Sequence, residues 1–186
     1  MFDLDRFVAD CRAAVIADPT FESMREIVAR AVSDPAAIIE RFGAPRRAGV
    51  EKIYRSADLN ILNFVWGPQM TLLPHNHLMR VVIGIYTGRE DNIFWRRMPR
   101  AERGKLETAG VRCLTAGDAV MLEEDVIHSV TNPLMRPTGA IHVYGGDFFG
   151  VHRSEWDPET LLERPFNLDG EMRWFEEMNA IWASRS

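Results

Sequence analysis

Near the N-terminus, apolar residues recur at helical spacing. Leu4, Phe7, Val8, Cys11 and Val15 form one stripe, and Phe21, Met24, Ile27, Val28 and Ala31 form a second. Thr20 is placed to cap the second helix. Asp34 followed by Pro35 reads as a cap and first position of a third helix, which stops at Gly43. From Val50 to Phe149 the pattern changes to short apolar runs separated by Gly, Pro and polar turns. These include Ile61–Trp66, Val81–Tyr86, Asn92–Met98, Ala119–Leu122, His128–Thr131 and Ala140–Tyr144. Many short strands at such spacing predict an antiparallel sandwich or barrel. Asp157-Pro158 then reads as another helix start, and Asp169 as the cap of a last helix carrying Met172, Phe175, Met178 and Trp182 on one side. No internal repeat or low-complexity tract interrupts this helix–strand–helix order. The helical stripes are core-facing surfaces rather than recognition elements.

At 186 residues the chain has the length of one domain with a sizeable core. The expected organisation is a single domain: a helical N-terminal extension over residues 1–48, a β-barrel over 50–150 and a C-terminal helical segment over 157–186. A net charge of −5 gives no electrostatic reason to expect nucleic acid or an anionic membrane as a partner. Arg96, Arg97, Arg100 and Arg103 form a local basic run that reads as a solvated hairpin. Two cysteines, Cys11 and Cys113, are too few and too far apart for a disulfide framework. The acidic start MFDLDRF has no apolar signal region and no run approaches a membrane span, so the expected location is cytoplasmic. The expected assembly is a monomer or homodimer.

The chemistry is concentrated in three histidines. His75 and His77 flank Asn76 just after Pro74, following the strand-like run NILNFVWGPQMTLLP. Side chains two apart on a strand share a face, so both can reach one metal ion. His128 follows a Gly117-Asp118 turn inside GDAVMLEEDVIHSVTN. Taken singly, each could be a satisfied polar residue in a barrel. Together they suggest an imidazole site for Fe, Zn, Cu or Ni. The nearby Glu123, Glu124 and Asp125 read as a solvated turn, His152 as a loop residue, and Trp66 and Trp95 as core.

The two histidine segments resemble the paired motifs of the cupin superfamily. Gly67, His75, His77 and Gly88 match the first motif, with two extra residues before the histidines. Gly117, His128 and Asn132 match the second, with the spacing from His128 to Asn132 intact. The resemblance implies a cupin jelly roll (a double-stranded β-helix), mainly β, with helices at both ends. The carboxylate ligand of the first motif would fall at Val81 or Val82, so the implied ligand set is His75, His77 and His128 alone. That pattern resembles the cysteine dioxygenase (thiol dioxygenase) family. Further landmarks follow in order: Gly88–Trp95, Glu123–Asn132, the segment Ala140-Ile141-His142-Val143-Tyr144, and Tyr144–Asp157. The similarity spans about residues 50 to 157.

The resemblance implies a mononuclear site for Fe(II), with Zn, Ni or Mn as other occupants, that oxidises a small thiol such as cysteine or 3-mercaptopropionate to its sulfinate with O2. Tyr144 would touch O2 or substrate, and His142 would orient it. Arg55, directly after Tyr54, and Arg80, three residues after His77, are the candidate partners of a substrate carboxylate. Two features depart from the family. Ala140 replaces the serine of the Ser-His-Tyr relay, and the cysteine that some members cross-link to the tyrosine would fall near Val81. Other three-histidine cupins offer two alternatives: a carbon-carbon-cleaving dioxygenase, or a non-redox isomerase, lyase or binding protein. The His142–Tyr144 pair after the second motif favours thiol oxidation.

Overall fold

The computed structural model describes residues 1–99 and 104–184, so Arg100 and Arg103 of the basic run lie outside the described residues. Eleven described strands form two antiparallel sheets. The first contains β1 (Gly49–Arg55), β2 (Asn60–Trp66), β4 (Val81–Thr87), β7 (Ala119–Leu122) and β9 (Thr138–Tyr144). The second contains β3 (Thr71–Asn76), β5 (Arg89–Arg97), β6 (Leu106–Thr115), β8 (Ile127–Thr131), β10 (Ser154–Trp156) and β11 (Glu163–Pro165). Strand β2 pairs with β9, β3 with β8, β4 with β7 and β5 with β6. This is one long hairpin with nested arms. Pairing of β4 with β9 and of β5 with β8 rolls it up. The nested pairing defines a jelly roll, the fold expected for this chain.

Alternation along the strands sorts two cores. Leu62, Phe64 and Trp66 of β2, Val81, Ile83 and Ile85 of β4, and Ala140 and Tyr144 of β9 face the inside of the roll. Their neighbours Ile61, Val82, Ile141 and Val143 face outward onto α1 (Leu4–Ala17), α2 (Glu22–Val32) and α3 (Pro35–Phe42). Both faces of this sheet are therefore buried, and its strands read as nearly continuous apolar runs. Gly84 lets α2 approach closely, since a Cβ there would lie 2.5 Å from Val28 Cγ1 and 2.8 Å from Val32 Cγ1. The buried thiol of Cys11 in this layer is pushed up to about 12 by desolvation, which leaves it unreactive. No helix among the described residues is long and apolar enough to cross a membrane.

Helix α3 has the expected cap: the Asp34 side chain accepts from the Ala37 amide, and Gly43 ends the helix at φ 81°. Three local expectations are corrected. The cap of α2 is not Thr20; Phe21 occupies that position, and Asp18 accepts the Ser23 amide at 2.7 Å instead. Asp157-Pro158 opens a turn, in which Asp157 accepts from Glu159 and Thr160, and the chain continues as β11 along β10. The last helix, α4 (Leu168–Ala183), is capped by Asn167, and Asp169 sits in its first turn. Helix α4 lies across one end of the roll. Phe175 and Met178 enter the inner core, Trp174 donates to the Thr71 carbonyl, and Asn179 bonds both backbone groups of Ala48.

Candidate metal centre

A β-bulge places the first two histidines. Register between β3 and β8 shifts between Leu72 and His75, around Pro74, which has no amide proton to give the ladder. Leu72 packs in the inner core, and after the bulge His75 also faces inward. His75 lies directly opposite His128 of β8, with ring centroids 4.7 Å apart. His77 follows just after β3 and brings its ring within 5.1 Å of that of His128. All three are buried. One potential ligand atom from each lies within 4.8 Å of the others, and Nε2 of His77 is 2.9 Å from Nε2 of His128.

The hydrogen bonds prepare two of these rings for a metal. His75 Nδ1 donates to the Leu73 carbonyl at 2.8 Å, and His128 Nδ1 donates to Asn92 Oδ1 at 2.7 Å. Each bond keeps the Nε2 lone pair unprotonated, that of His128 accepting from His77 Nε2, and matches the usual arrangement in which an outer partner fixes a ligating imidazole. Nδ1 of His77 has no hydrogen-bond partner among the described residues. Burial pushes the pKa of His75 down to about 4, and those of His77 and His128 well below the ordinary value. The rings are neutral near pH 7, as ligands must be. Three convergent neutral imidazoles fit a divalent ion.

A polar group of the first sheet completes the cavity. The Tyr144 hydroxyl bonds His142 Nδ1 at 3.0 Å, and the Tyr144 ring lies 5.1 Å from that of His77. Burial raises the Tyr144 pKa well above its ordinary value, so the phenol stays protonated. Ala140 is buried on the same inward face of β9, where it offers His142 no hydrogen bond. Val81 lies opposite Tyr144 across the β4–β9 pair and presents an aliphatic side chain there.

The two arginines singled out from the sequence lie elsewhere. Arg55 forms a half-exposed pair with Asp147, and Arg80 pairs with Glu123 and donates to the Pro19 carbonyl. Neither lines the cavity of the three histidines. His152 is exposed in a loop, and Glu123, Glu124 and Asp125 are exposed in a turn.

Four residues that the sequence reading passed over are connected to the centre; of these Glu171 lines the histidine cavity itself, and Arg153 lines a separate pocket with Phe148 and Phe166. Glu90 and Asn92, both buried on β5, join His128 to the first sheet. Arg153 is buried, with its guanidinium 4.2 Å from the Phe148 ring centre and 3.9 Å from that of Phe166. Those rings are neighbours of His77 and His75 respectively. Nη1 of Arg153 donates to the Phe148 carbonyl, while Nε and Nη2 have no partner among the described residues. Burial lowers its pKa. Glu171 of α4 lines both the histidine cavity and an adjoining cleft of about 360 Å³ that contains His75, Phe166 and Trp174. Desolvation pushes the Glu171 carboxyl up to about 7 against the pull of Arg153, although the residue as a whole is half-buried. Alternation gave one usable signal, because Glu90 and Asn92 share the inward parity of β5 with Phe94. Arg153 stands in a loop, where no period marks it.

No family model matches the chain. Among solved structures it is similar to a single-residue variant of oxalate decarboxylase from Bacillus subtilis, at 15% identity and TM-score 0.43, over 56% of this chain and 27% of that one. It is also similar to an RmlC-like cupin from Methanocaldococcus jannaschii, at 15% identity and TM-score 0.45, over 56% and 84% of the two chains. A third is an RmlC-like cupin from Shewanella frigidimarina, at 15% identity and TM-score 0.41, over 52% and 74%. The matched part of this chain spans about a quarter of the oxalate decarboxylase chain.

Proposed function

We propose that this cupin-like protein is a mononuclear non-haem iron dioxygenase that converts a small acidic thiol to its sulfinate. One observation carries the reading. A buried arginine, two of whose nitrogens have no partner among the described residues, stacks on Phe148 and Phe166, whose rings neighbour His77 and His75 of a three-imidazole cluster that has no carboxylate ligand. An ion held by three neutral ligands keeps its full charge and open positions for an anionic substrate. His75, His77 and His128 would hold the ion, which when bound supplies the redox chemistry that carries both atoms of O2 to sulfur.

The remaining roles belong to the chain. Arg153 takes the substrate carboxylate in a bidentate fork, and Phe148 and Phe166 hold the guanidinium plane fixed. Arg55 and Arg80, already paired with acidic side chains on the surface, are the weaker candidates for that task. Tyr144, held by His142, positions a polar group of the substrate. Helix α4 and the aromatic wall of Phe64, Trp66 and Phe148 exclude water. The cysteine or 3-mercaptopropionate class fits this arrangement. A non-redox reading draws support from Glu171, a cavity carboxyl with a pKa near neutrality that could move a proton in a lyase or isomerase.

The test is O2 uptake after anaerobic loading with Fe(II). Uptake is expected with 3-mercaptopropionate or cysteine, little with cysteamine, and none after substitution by zinc, which has no redox chemistry. Arg153→Ala should weaken binding of the acidic thiols about a hundredfold while leaving cysteamine unchanged. Equal turnover with zinc would move the protein to the non-redox class.

A further inference from the structure

One buried carboxylate remains without a task in that scheme. Glu90 is fully buried on the inner face of β5, between the metal cluster and the His142–Tyr144 pair. Its Oε1 accepts from Asn92 Nδ2 at 3.0 Å, and its Oε2 accepts from Trp66 Nε1 at 2.8 Å. Oε2 also faces His142 Nε2 at 3.6 Å. Asn92 continues to His128, and His142 continues to Tyr144, so Glu90 is hydrogen-bonded to one arm and faces the other across the 3.6 Å gap to His142 Nε2, which has no hydrogen-bond partner among the described residues.

We propose that Glu90 is a positioning residue that sets the direction of every hydrogen bond along both arms. The proposal rests on His75, His77 and His128 holding a metal. A carboxylate only accepts, whereas an amide and a neutral imidazole each offer one donor side and one acceptor side. Facing Oε1, Asn92 must present its NH2 group, which turns its Oδ1 towards His128. His128 then carries its proton on Nδ1 and keeps the Nε2 lone pair at the point where the three imidazoles converge. On the other arm, the charge of Oε2 draws the His142 proton to Nε2. His142 Nδ1 is left to accept from the Tyr144 hydroxyl, and the tyrosine oxygen becomes an acceptor towards the cavity. Glu90 thereby supplies His142 with the polar neighbour that Ala140 cannot provide. Desolvating a carboxylate this deeply is costly, and its two strong donors compensate.

The experiment reads ring protonation in the metal-free protein labelled with 15N-histidine, together with Zn²⁺ affinity as a non-catalytic probe. In the wild type, His128 is expected to be protonated on Nδ1 and His142 on Nε2. Glu90→Gln introduces a donor, so Asn92 can turn over and move the His128 proton to Nε2; Zn²⁺ affinity should fall about 10–100-fold. Adding Asn92→Asp restores an acceptor opposite His128, one that the newly introduced amide can satisfy. The double variant should recover Zn²⁺ affinity to within about threefold, while His142, still facing the amide oxygen that accepts from Trp66, keeps its wild-type tautomer throughout. The opposite tautomer at either histidine in the wild type overturns the proposal. So does a Glu90→Gln protein with an unchanged His128 tautomer, or a folded double variant with no recovery, which would assign Glu90 a purely structural part. Failure of the wild type to bind Zn²⁺ would instead sink the metal reading, and the tautomers of the metal-free protein would still decide for or against Glu90.

Discussion

The two sheets of the roll differ in what covers them and in what they carry. The first is clamped between the inner core and the N-terminal helices, and every residue of β9 is buried. Of the residues discussed at the cavity, it contributes three hydrogen-bonding side chains, Trp66, His142 and Tyr144. The second sheet is less covered: β6 buries only Leu106 and Leu114, and its other residues are partly or fully exposed. Its inner face supplies His75, His128, Asn92 and Glu90. The contrast teaches a division of labour: the sheet with two apolar faces holds the roll together, and the less covered one carries the ligands. Each of these buried polar groups has a partner: His128 and Asn92 pair across neighbouring strands, Glu90 accepts from Asn92 on its own strand and from Trp66 of the other sheet, and His75 donates to the Leu73 carbonyl.

The sharpest way to break this contrast is to damage each sheet separately. Ile141→Ala, on the helix-facing side of β9, should cost about 2–5 kcal/mol in denaturant unfolding. The folded fraction should still bind metal with unchanged stoichiometry. His128→Ala should do the reverse, lowering metal affinity by about a hundredfold or more with a smaller change in the melting of the metal-free protein. His152→Ala, in its exposed loop, should leave metal content alone. Equal losses of stability from Ile141→Ala and His128→Ala would erase the division.

A smaller effect concerns the junction of the two sheets with α4. The Glu171 carboxyl, at about 7 in the folded chain, sits above its ordinary value of 4.5. The folded state therefore binds the proton more tightly than the unfolded one. The contribution to stability is fully present below about pH 4.5 and is lost as pH rises through 7. Glu171→Gln should flatten that loss. In the metal-free protein, the variant should gain about 1–2 kcal/mol over the wild type between pH 5 and pH 8, after allowing for solvent screening. A parallel pH profile in the two proteins would contradict it. Least of all should come from the surface: Arg55→Ala and Arg80→Ala, each breaking an exposed ion pair, should change unfolding by less than about 1 kcal/mol. Neither should alter metal content.

What could be read from the sequence follows the same line. The helices, the strand-rich middle and the histidine cluster announce themselves through period: 3.6 in the stripes of α1 and α2, 2 in His75-Asn76-His77. Two identical dipeptides show where period is needed. Asp34-Pro35 is followed by the apolar positions Ile38, Ile39 and Phe42, and a helix propagates. Asp157-Pro158 is followed within one turn by Leu161 and Leu162 and then by Pro165, and the segment is captured as a strand by β10. Local capping chemistry alone starts nothing that packing does not continue. Arg153 was hidden for a related reason. Its position depends on two aromatic rings distant from one another in sequence, Phe148 and Phe166. Thr20 misled because Asp18, two residues earlier, takes the Ser23 amide together with the amide and hydroxyl of Thr20, leaving the Thr20 oxygen a long 3.4 Å bond from Glu22.

The irregularity at Leu73 and Pro74 acts on β3 as a phase shift acts on a wave. Before it, even-numbered residues such as Leu72 point into the roll; after it, odd-numbered ones do, beginning with His75. Without that half-period slip, one strand could not give an apolar side chain to the core and an imidazole to the centre from the same face. Deleting a single residue there would oblige the strand to choose, turning either Leu72 or the His75–His77 pair towards the outside.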